Sequence, residues 1–195
     1  MILPDFKNRE GEWVLSAWCR GDKQRQTRAG RLWGNLQIRC LDNGSMQSSR
    51  KTYAGCHHTF TDFQDFAEWC QTQTGYHEGY QLDKDIVFKG NKVYSKETCF
   101  FIPKDLNILF TLRTLDRGSL PVGVHLKKRS GRYGAKVNRY GEQIHLGYFD
   151  TPQEAFLTYK REKEALIKEM AEKYKDVIDP RAYVSLLNYR IEDTD

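Results

Sequence analysis

At 195 residues, with 39% hydrophobic and 13% aromatic composition, the chain can bury a real core and has room for one ordinary domain or two small ones. A charged fraction of 29% and a mean hydropathy of -0.73 imply a large wetted surface, and no run of 18 apolar residues offers a membrane-spanning helix. The net charge is only +5 but unevenly placed: residues 117–145 carry seven basic side chains against one acid, Glu142, a local excess that suits a phosphate-bearing partner.

The N-terminal stretch MILPDFKNREGEW has no basic region followed by an apolar one, so no signal peptide is expected and the chain is expected in the cytoplasm. Trp13, Leu15 and Trp18 read as a short apolar anchor. The run RGDKQRQTRAG that follows has four basic residues, two glycines and no apolar period, which predicts a loop or flexible arm able to touch phosphates. Leu32, Trp33, Leu36 and Cys40 fall at helical spacing, and LDNGSMQSSRK after them is turn-rich. Tyr53 to Cys56 reads as an extended piece leading into a helix over TDFQDFAEWCQTQ. There Thr61 and Gln64 form a capping-box pattern, and Phe63, Phe66, Ala67 and Cys70 share one face. Its aromatic stripe, with Phe60 and Trp69, is assigned to the core and not to base stacking.

Five cysteines (Cys19, Cys40, Cys56, Cys70, Cys99) make an odd count without a C-x-x-C pair, which fits reduced, mostly buried thiols. Cys56-His57-His58 is a local ligand cluster, and with Cys40 and Cys99 it could form a zinc site, although the spacing does not support one.

The segment LDKDIVFKGNKVYSKETCFFIPKDLN, Leu82 to Asn107, concentrates the candidate chemistry. It places Asp83, Asp85 and Asp105, Lys84 between two of these acids, a Gly90-Asn91 turn and Asn107 in one stretch. Carboxylate and amide oxygens around a lysine are what a hard metal ion and a scissile phosphate need. A surface hairpin followed by a helix is the plain alternative. Asp83 to Phe88 and Lys92 to Tyr94 are expected to pair as a hairpin around Lys89-Gly90-Asn91. Ser95 to Thr98 reads as a tight turn or a helix start, limited by Pro103. Asn107 to Gly118 mixes apolar Ile108, Leu109 and Phe110 with a polar tail, Leu120-Pro121 starts a new pattern, and a domain boundary is expected at 115/116, giving domains 1–115 and 116–195.

Asp83, the Gly90-Asn91 turn and Asn107 together resemble the HNH, or ββα-metal, motif of phage and intron-encoded homing endonucleases. The resemblance implies a nuclease domain in which Asp83 and Asn107 hold a divalent ion, Mg²⁺ or Mn²⁺. Lys84 falls where that family has its general-base histidine and Thr98 where it has a structural asparagine, so Asp83, Lys84, Asp85 and Thr98 are the candidate catalytic residues. A lysine between two carboxylates is a poor base at neutral pH. The nucleophile would then be activated by a metal-bound water, by Asp85, or by His57, His58 or His77.

The C-terminal part alternates over VGVHLKK, GRYGAKVNR and QIHLGYF, with Arg129-Ser130-Gly131 and Tyr140-Gly141-Glu142 as turns, which predicts a three-stranded antiparallel sheet. Thr151-Pro152-Gln153-Glu154 announces a helix with an N-cap, a first-turn proline and a capping box. Ala155, Phe156, Tyr159, Leu166 and Met170 form its apolar stripe, and the mixed charges between Lys160 and Lys175 read as a solvated face. A last short helix starts at Asp179-Pro180, and Tyr183, Leu186, Leu187 and Tyr189 are expected to dock. Gly123-Val124, Tyr133, Ala135, Val137, Gly141, Leu146-Gly147, Phe149-Asp150-Thr151, Glu154-Ala155 and Tyr159 resemble the plant ethylene-response-factor, or AP-two, domain. That resemblance implies a sheet lying in the major groove, with His125, Lys127, Arg129, Arg132, Lys136, Asn138 and His145 facing DNA.

The expected fold is therefore α+β: a ββα-metal nuclease-like N-terminal domain followed by a three-stranded antiparallel sheet packed on a helix. The expected function is a sequence-directed, metal-dependent DNA endonuclease of the phage homing type, acting on duplex DNA as a monomer in the cytoplasm, the host's if phage-encoded. The alternative is a catalytically inactive DNA-binding or regulatory protein that keeps the nuclease fold.

Overall fold

The computed structural model describes residues 6–7, 13–19, 22–40, 53–110 and 119–193. The turn-rich loop at 41–51 and the expected boundary position at 115/116 lie outside the described residues. The chain divides into two compact units, Met1–Ile102 and Pro103–Asp195. Among the described residues it is mixed α+β, with five helices and one three-stranded antiparallel sheet beside several two-stranded pairs. No helix among these residues is long and apolar enough to cross a membrane.

In the first unit, β1 (Phe6–Lys7) pairs antiparallel with β2 (Trp13–Val14), and β3 (Trp18–Cys19) pairs antiparallel with β4 (Asp22–Gln26). The polar run expected as a flexible arm is thus a strand, followed directly by α1 (Arg28–Cys40). Thr27 explains the change. Its hydroxyl accepts from the Gly30 N–H at 3.1 Å and donates to the Ser16 carbonyl at 2.8 Å, capping the helix while tying it to the preceding segment. A Cβ at Gly30 would lie 2.2 Å from the Ala17 carbonyl oxygen, so this glycine serves close approach and not flexibility.

The helix expected over residues 61–73 is α2 (Phe63–Thr72), but its cap is Asp62, whose carboxylate accepts from the Asp65 N–H at 2.9 Å. Gln64, expected in the capping box, instead grips the Leu15 backbone, accepting from its N–H at 2.9 Å and donating to its carbonyl at 2.6 Å. The aromatic stripe is core: Phe66 packs edge-on against Phe60 at 5.0 Å, and Trp69 meets Phe101 at 5.9 Å. Cys56, Cys70 and Cys99 are buried in the same cluster, and burial pushes the Cys99 thiol up to about 12. They behave as small apolar residues. Among the described residues no group of three or more His, Cys, Asp or Glu converges as metal ligands.

The hairpin expected between Asp83–Phe88 and Lys92–Tyr94 does not form. β6 (Gln81–Asp83) pairs antiparallel with β8 (Phe100–Ile102), while β7 (Val93–Tyr94) pairs parallel with β5 (His57–His58). The reason lies in Asp83. Its Oδ1 accepts from the N–H groups of both Asp85 and Ile86, each at 2.9 Å, which curls the chain out of extended geometry immediately after β6. Gly90 does adopt a positive φ of 72°, but its turn closes a loop and not a ladder.

The second unit begins with α3 (Lys104–Ile108), upstream of the boundary expected at 115/116. Asp105 joins it to α4 (Pro152–Tyr174): its carboxylate accepts from the Tyr174 hydroxyl at 2.5 Å and from Lys173 Nζ at 3.3 Å. The sheet has the order β11 (Glu142–Phe149), β10 (Arg132–Arg139), β9 (Val124–Lys127). Thr151 and Glu154 make the expected capping box. The α4 stripe of Ala155, Tyr159, Leu166, Ile167, Met170 and Ala171 is buried, as are Val124, Ala135 and Val137 of the sheet. α5 (Pro180–Leu187) closes the unit with Asp179 as cap and Leu186 buried.

One residue of the charged run on α4 departs from the expected solvated face. Lys163 is only 6% exposed, and burial alone lowers its pKa to about 8. Between about 8 and the ordinary value of 10.5 the unfolded chain holds a proton that the folded chain has released, so stability rises with pH across that window. Lys163→Met is expected to stabilise the unit by about 1–3 kcal/mol at neutral pH and to abolish that alkaline rise. Thermal unfolding by circular dichroism at pH 7 and above pH 9 checks both.

Candidate functional site

Two sets of residues carry candidate chemistry, one in each unit. In the first, the chain between β6 and β8 folds on itself through side-chain to backbone bonds. Lys84 is buried at 6% exposure; its ammonium donates to Asp85 Oδ1 at 2.7 Å and to the Asn91 carbonyl, and lies 5.5 Å from the Tyr94 ring centroid. The Asn91 side chain donates to the Lys84 carbonyl at 3.0 Å and the Val93 carbonyl at 2.7 Å, and accepts from the Val93 N–H at 2.9 Å. Lys84 and Asn91 therefore hold one another and the loop in place.

Thr98 closes the other end. Its hydroxyl donates to the Val93 carbonyl at 2.8 Å and accepts from the Ser95 N–H at 3.2 Å, so Ser95 to Thr98 is a tight turn, not a helix start. Asp83 differs from its neighbours. Burial raises its pKa, an effect that the two backbone N–H donors and, more weakly, Lys84 offset only in part. Asp85, by contrast, is paired to Lys84 and has a half-exposed side chain. Thus the structure brings Asp83, Lys84, Asp85, Asn91 and Thr98 into one hydrogen-bonded loop. Asn107 lies on α3, in the second unit, where its N–H donates to the Pro103 carbonyl at 3.0 Å. Of the histidines considered as a base, His57 and His77 are exposed, while His58 lies against Trp33 with its Nε2 3.1 Å from Gln37 Nε2.

The second set lies on the outer face of the three-stranded sheet. Register places Lys127 opposite Arg132 and His125 opposite Gly134; Gly134 faces Tyr148, Lys136 faces His145 and Asn138 faces Gln143. These residues share the face opposite Val124, Ala135 and Val137. The partners of β10 slip between Ala135 and Lys136: Ala135 opposes Gly147 and Lys136 opposes His145, leaving Leu146 as the extra residue of a bulge. The bulge brings Tyr148 onto the same face as His145, which strict alternation would forbid.

At the centre of this face is a cluster of His125, Lys127 and His145 around Tyr148, which the expected set lacked. A Cβ at Gly134 would meet the His125 ring at 2.5 Å and the Tyr148 ring at 3.1 Å, so both rings lie across the glycine. His145 packs edge-on against Tyr148 at 4.3 Å, and Lys127 Nζ lies 4.2 Å above the Tyr148 ring. Burial, then the charges of Lys136 and His145, hold the His125 pKa below the ordinary imidazole value. Gly147, at φ 133°, is the one sequence signal that could have shown the bulge and thereby Tyr148.

The expected DNA-facing residues are not equally available. Lys127 and Lys136 are exposed, and Arg129 stands exposed on the turn between β9 and β10. Arg132 is held by Asp150 Oδ1 at 3.0 Å and by the Tyr148 carbonyl at 2.8 Å, so its guanidinium is oriented and partly neutralised. Asn138 Oδ1 accepts from the Gly141 N–H at 3.0 Å and braces the β10–β11 turn. Glu142, the one acid of the three strands, opposes Arg139, whose guanidinium pairs with Glu169 of α4. The outer face is thus cationic and aromatic. No family model, curated protein or solved structure matches the chain.

Proposed function

We propose that the chain is a sequence-directed, divalent-metal-dependent DNA endonuclease of the HNH type, in which the sheet of the second unit binds duplex DNA and the Leu82 to Asn107 segment hydrolyses a phosphodiester bond. The observation that carries the DNA-binding part is the outer face itself. Lys127 and Lys136 neutralise phosphates, while His125, His145, Tyr148 and the remaining donors of Arg132 and Asn138 can meet base edges. The cation, imidazole and phenol groups lie on the face opposite the core.

The donor set of the first unit is compatible with a hard ion. Asp83 is a carboxylate whose charge burial penalises and whose neighbouring ammonium is directed at Asp85, an arrangement that a divalent cation would relieve. Magnesium takes one or two protein carboxylates and completes its shell with water and phosphate. Asp83 would hold Mg²⁺ or Mn²⁺, which when bound supplies electrostatic stabilisation of the phosphate. On this reading Asp85, half-exposed and fixed by Lys84, takes a proton from the attacking water. Lys84 stays a fixed positive charge.

One observation favours the second reading, a DNA-binding protein without cleavage. Lys84 and Thr98, at the two positions where the resemblance expects histidine and asparagine, are both committed to holding the loop. Binding is tested separately from cleavage. Lys127→Ala with Lys136→Ala is expected to weaken duplex affinity about 10- to 100-fold and to lower the slope of log affinity against log salt by roughly two. Unchanged affinity in a titration by fluorescence anisotropy would refute the assignment of this face.

A further inference from the structure

The two imidazoles of the outer face are prepared for protons in opposite ways. His145 Nδ1 lies 3.0 Å from the Ala135 carbonyl oxygen and 3.4 Å from the Gly147 nitrogen; a carbonyl can only accept, so the shorter contact assigns the hydrogen to Nδ1 and the lone pair to Nε2. His145 is exposed, so that lone pair is open to a proton. His125 Nδ1 is buried without a hydrogen-bond partner. A neutral His125 leaves only a lone pair there, whereas the imidazolium would bury an N–H with no acceptor. His145 is therefore the ring whose second nitrogen is open to a new partner.

Lys127 of β9, Arg132 and Lys136 of β10, and His125 and Tyr148 form the face around it, with Asp150 at the edge bound to Arg132. Phosphates laid on this face bring negative charge beside the open Nε2.

We propose that His145 is a proton-linked contact to duplex DNA: binding draws a proton onto Nε2, and the resulting imidazolium donates to a backbone phosphate oxygen. This inference rests on the DNA-binding reading of the face. Its consequence is that affinity rises as pH falls, with a limit of tenfold per pH unit for one proton.

The test is the dissociation constant of the full chain for one duplex at constant ionic strength between about pH 8 and pH 6. Wild type is expected to tighten about fivefold or more over that range, while His145→Gln, whose amide can still donate to the Ala135 carbonyl, changes by less than about twofold. Calorimetry of wild-type binding in two buffers of different ionisation enthalpy should show net proton uptake, a readout independent of how well any variant folds. Affinity that does not change with pH, zero proton uptake, or an undiminished dependence in His145→Gln overturns the proposal. Absence of duplex binding at every pH overturns the DNA-binding reading itself, and the two failures are thereby distinguished.

Discussion

Replacing Asp83 with asparagine is expected to lower metal-dependent cleavage on the order of 100-fold or more, because several kcal/mol of electrostatic stabilisation are lost with the charge. The choice of asparagine matters. Asp83 Oδ1 accepts from the N–H groups of Asp85 and Ile86, and an amide oxygen can take over both bonds, so the loop geometry is preserved. Asp83→Ala loses the bonds and the charge together, adding about 1–3 kcal/mol of destabilisation from the unpaired backbone donors. Duplex affinity should be unchanged in the asparagine variant, since the binding face belongs to the other unit. Wild-type cleavage by Asp83→Asn, followed as product formed per time in Mg²⁺, would remove Asp83 from the metal site.

The largest effect on stability is expected at Phe101. It is 1% exposed, meets Trp69 at 5.9 Å and Tyr76 at 5.4 Å, and lies 5.5 Å from the Arg28 guanidinium. Phe101→Ala should cost about 3–5 kcal/mol, a large part of what a domain of this size holds in reserve. All four tryptophans, Trp13, Trp18, Trp33 and Trp69, belong to the first unit, so urea unfolding followed by tryptophan emission reports on that unit. Phe101 also pairs with Leu82 in the β6–β8 ladder. Its loss should therefore loosen the loop that starts at Asp83, and a midpoint within about 0.5 kcal/mol of wild type would show that this cluster is not the core of the unit.

What the sequence made legible was local. Thr151, Pro152 and Glu154 announce α4, and the turns at Gly131 and Gly141 bound β10, because capping and turn chemistry act over three or four residues. The face of the sheet was readable by alternation as far as the bulge. Beyond it, Leu146 shifts the register, and Tyr148 was assigned no role although it sits against His145 and beneath Lys127.

What escaped was non-local. The partner of β6 is β8, across a loop, and not the nearer β7, which pairs with β5 instead. Nothing in the alternation of residues 83–94 carries that information, because the two N–H bonds to Asp83 decide it. Lys84 read as a candidate catalytic residue, yet Asp85, Asn91 and Tyr94 surround it. Lysine is so seldom buried that pattern reading places it outside by default, as it did for Lys163.

Sequence-directed cleavage is tested most directly by recovering the duplexes that the protein binds from a random-sequence pool, then incubating them with it in Mg²⁺ or Mn²⁺ and in EDTA. We expect a recovered sequence preference and new strand ends at a fixed position only where metal is present. Duplexes that bind with sequence preference but remain intact in both metals would contradict the nuclease and leave a DNA-binding protein, and a pool from which nothing is retained would contradict the DNA-binding face as well.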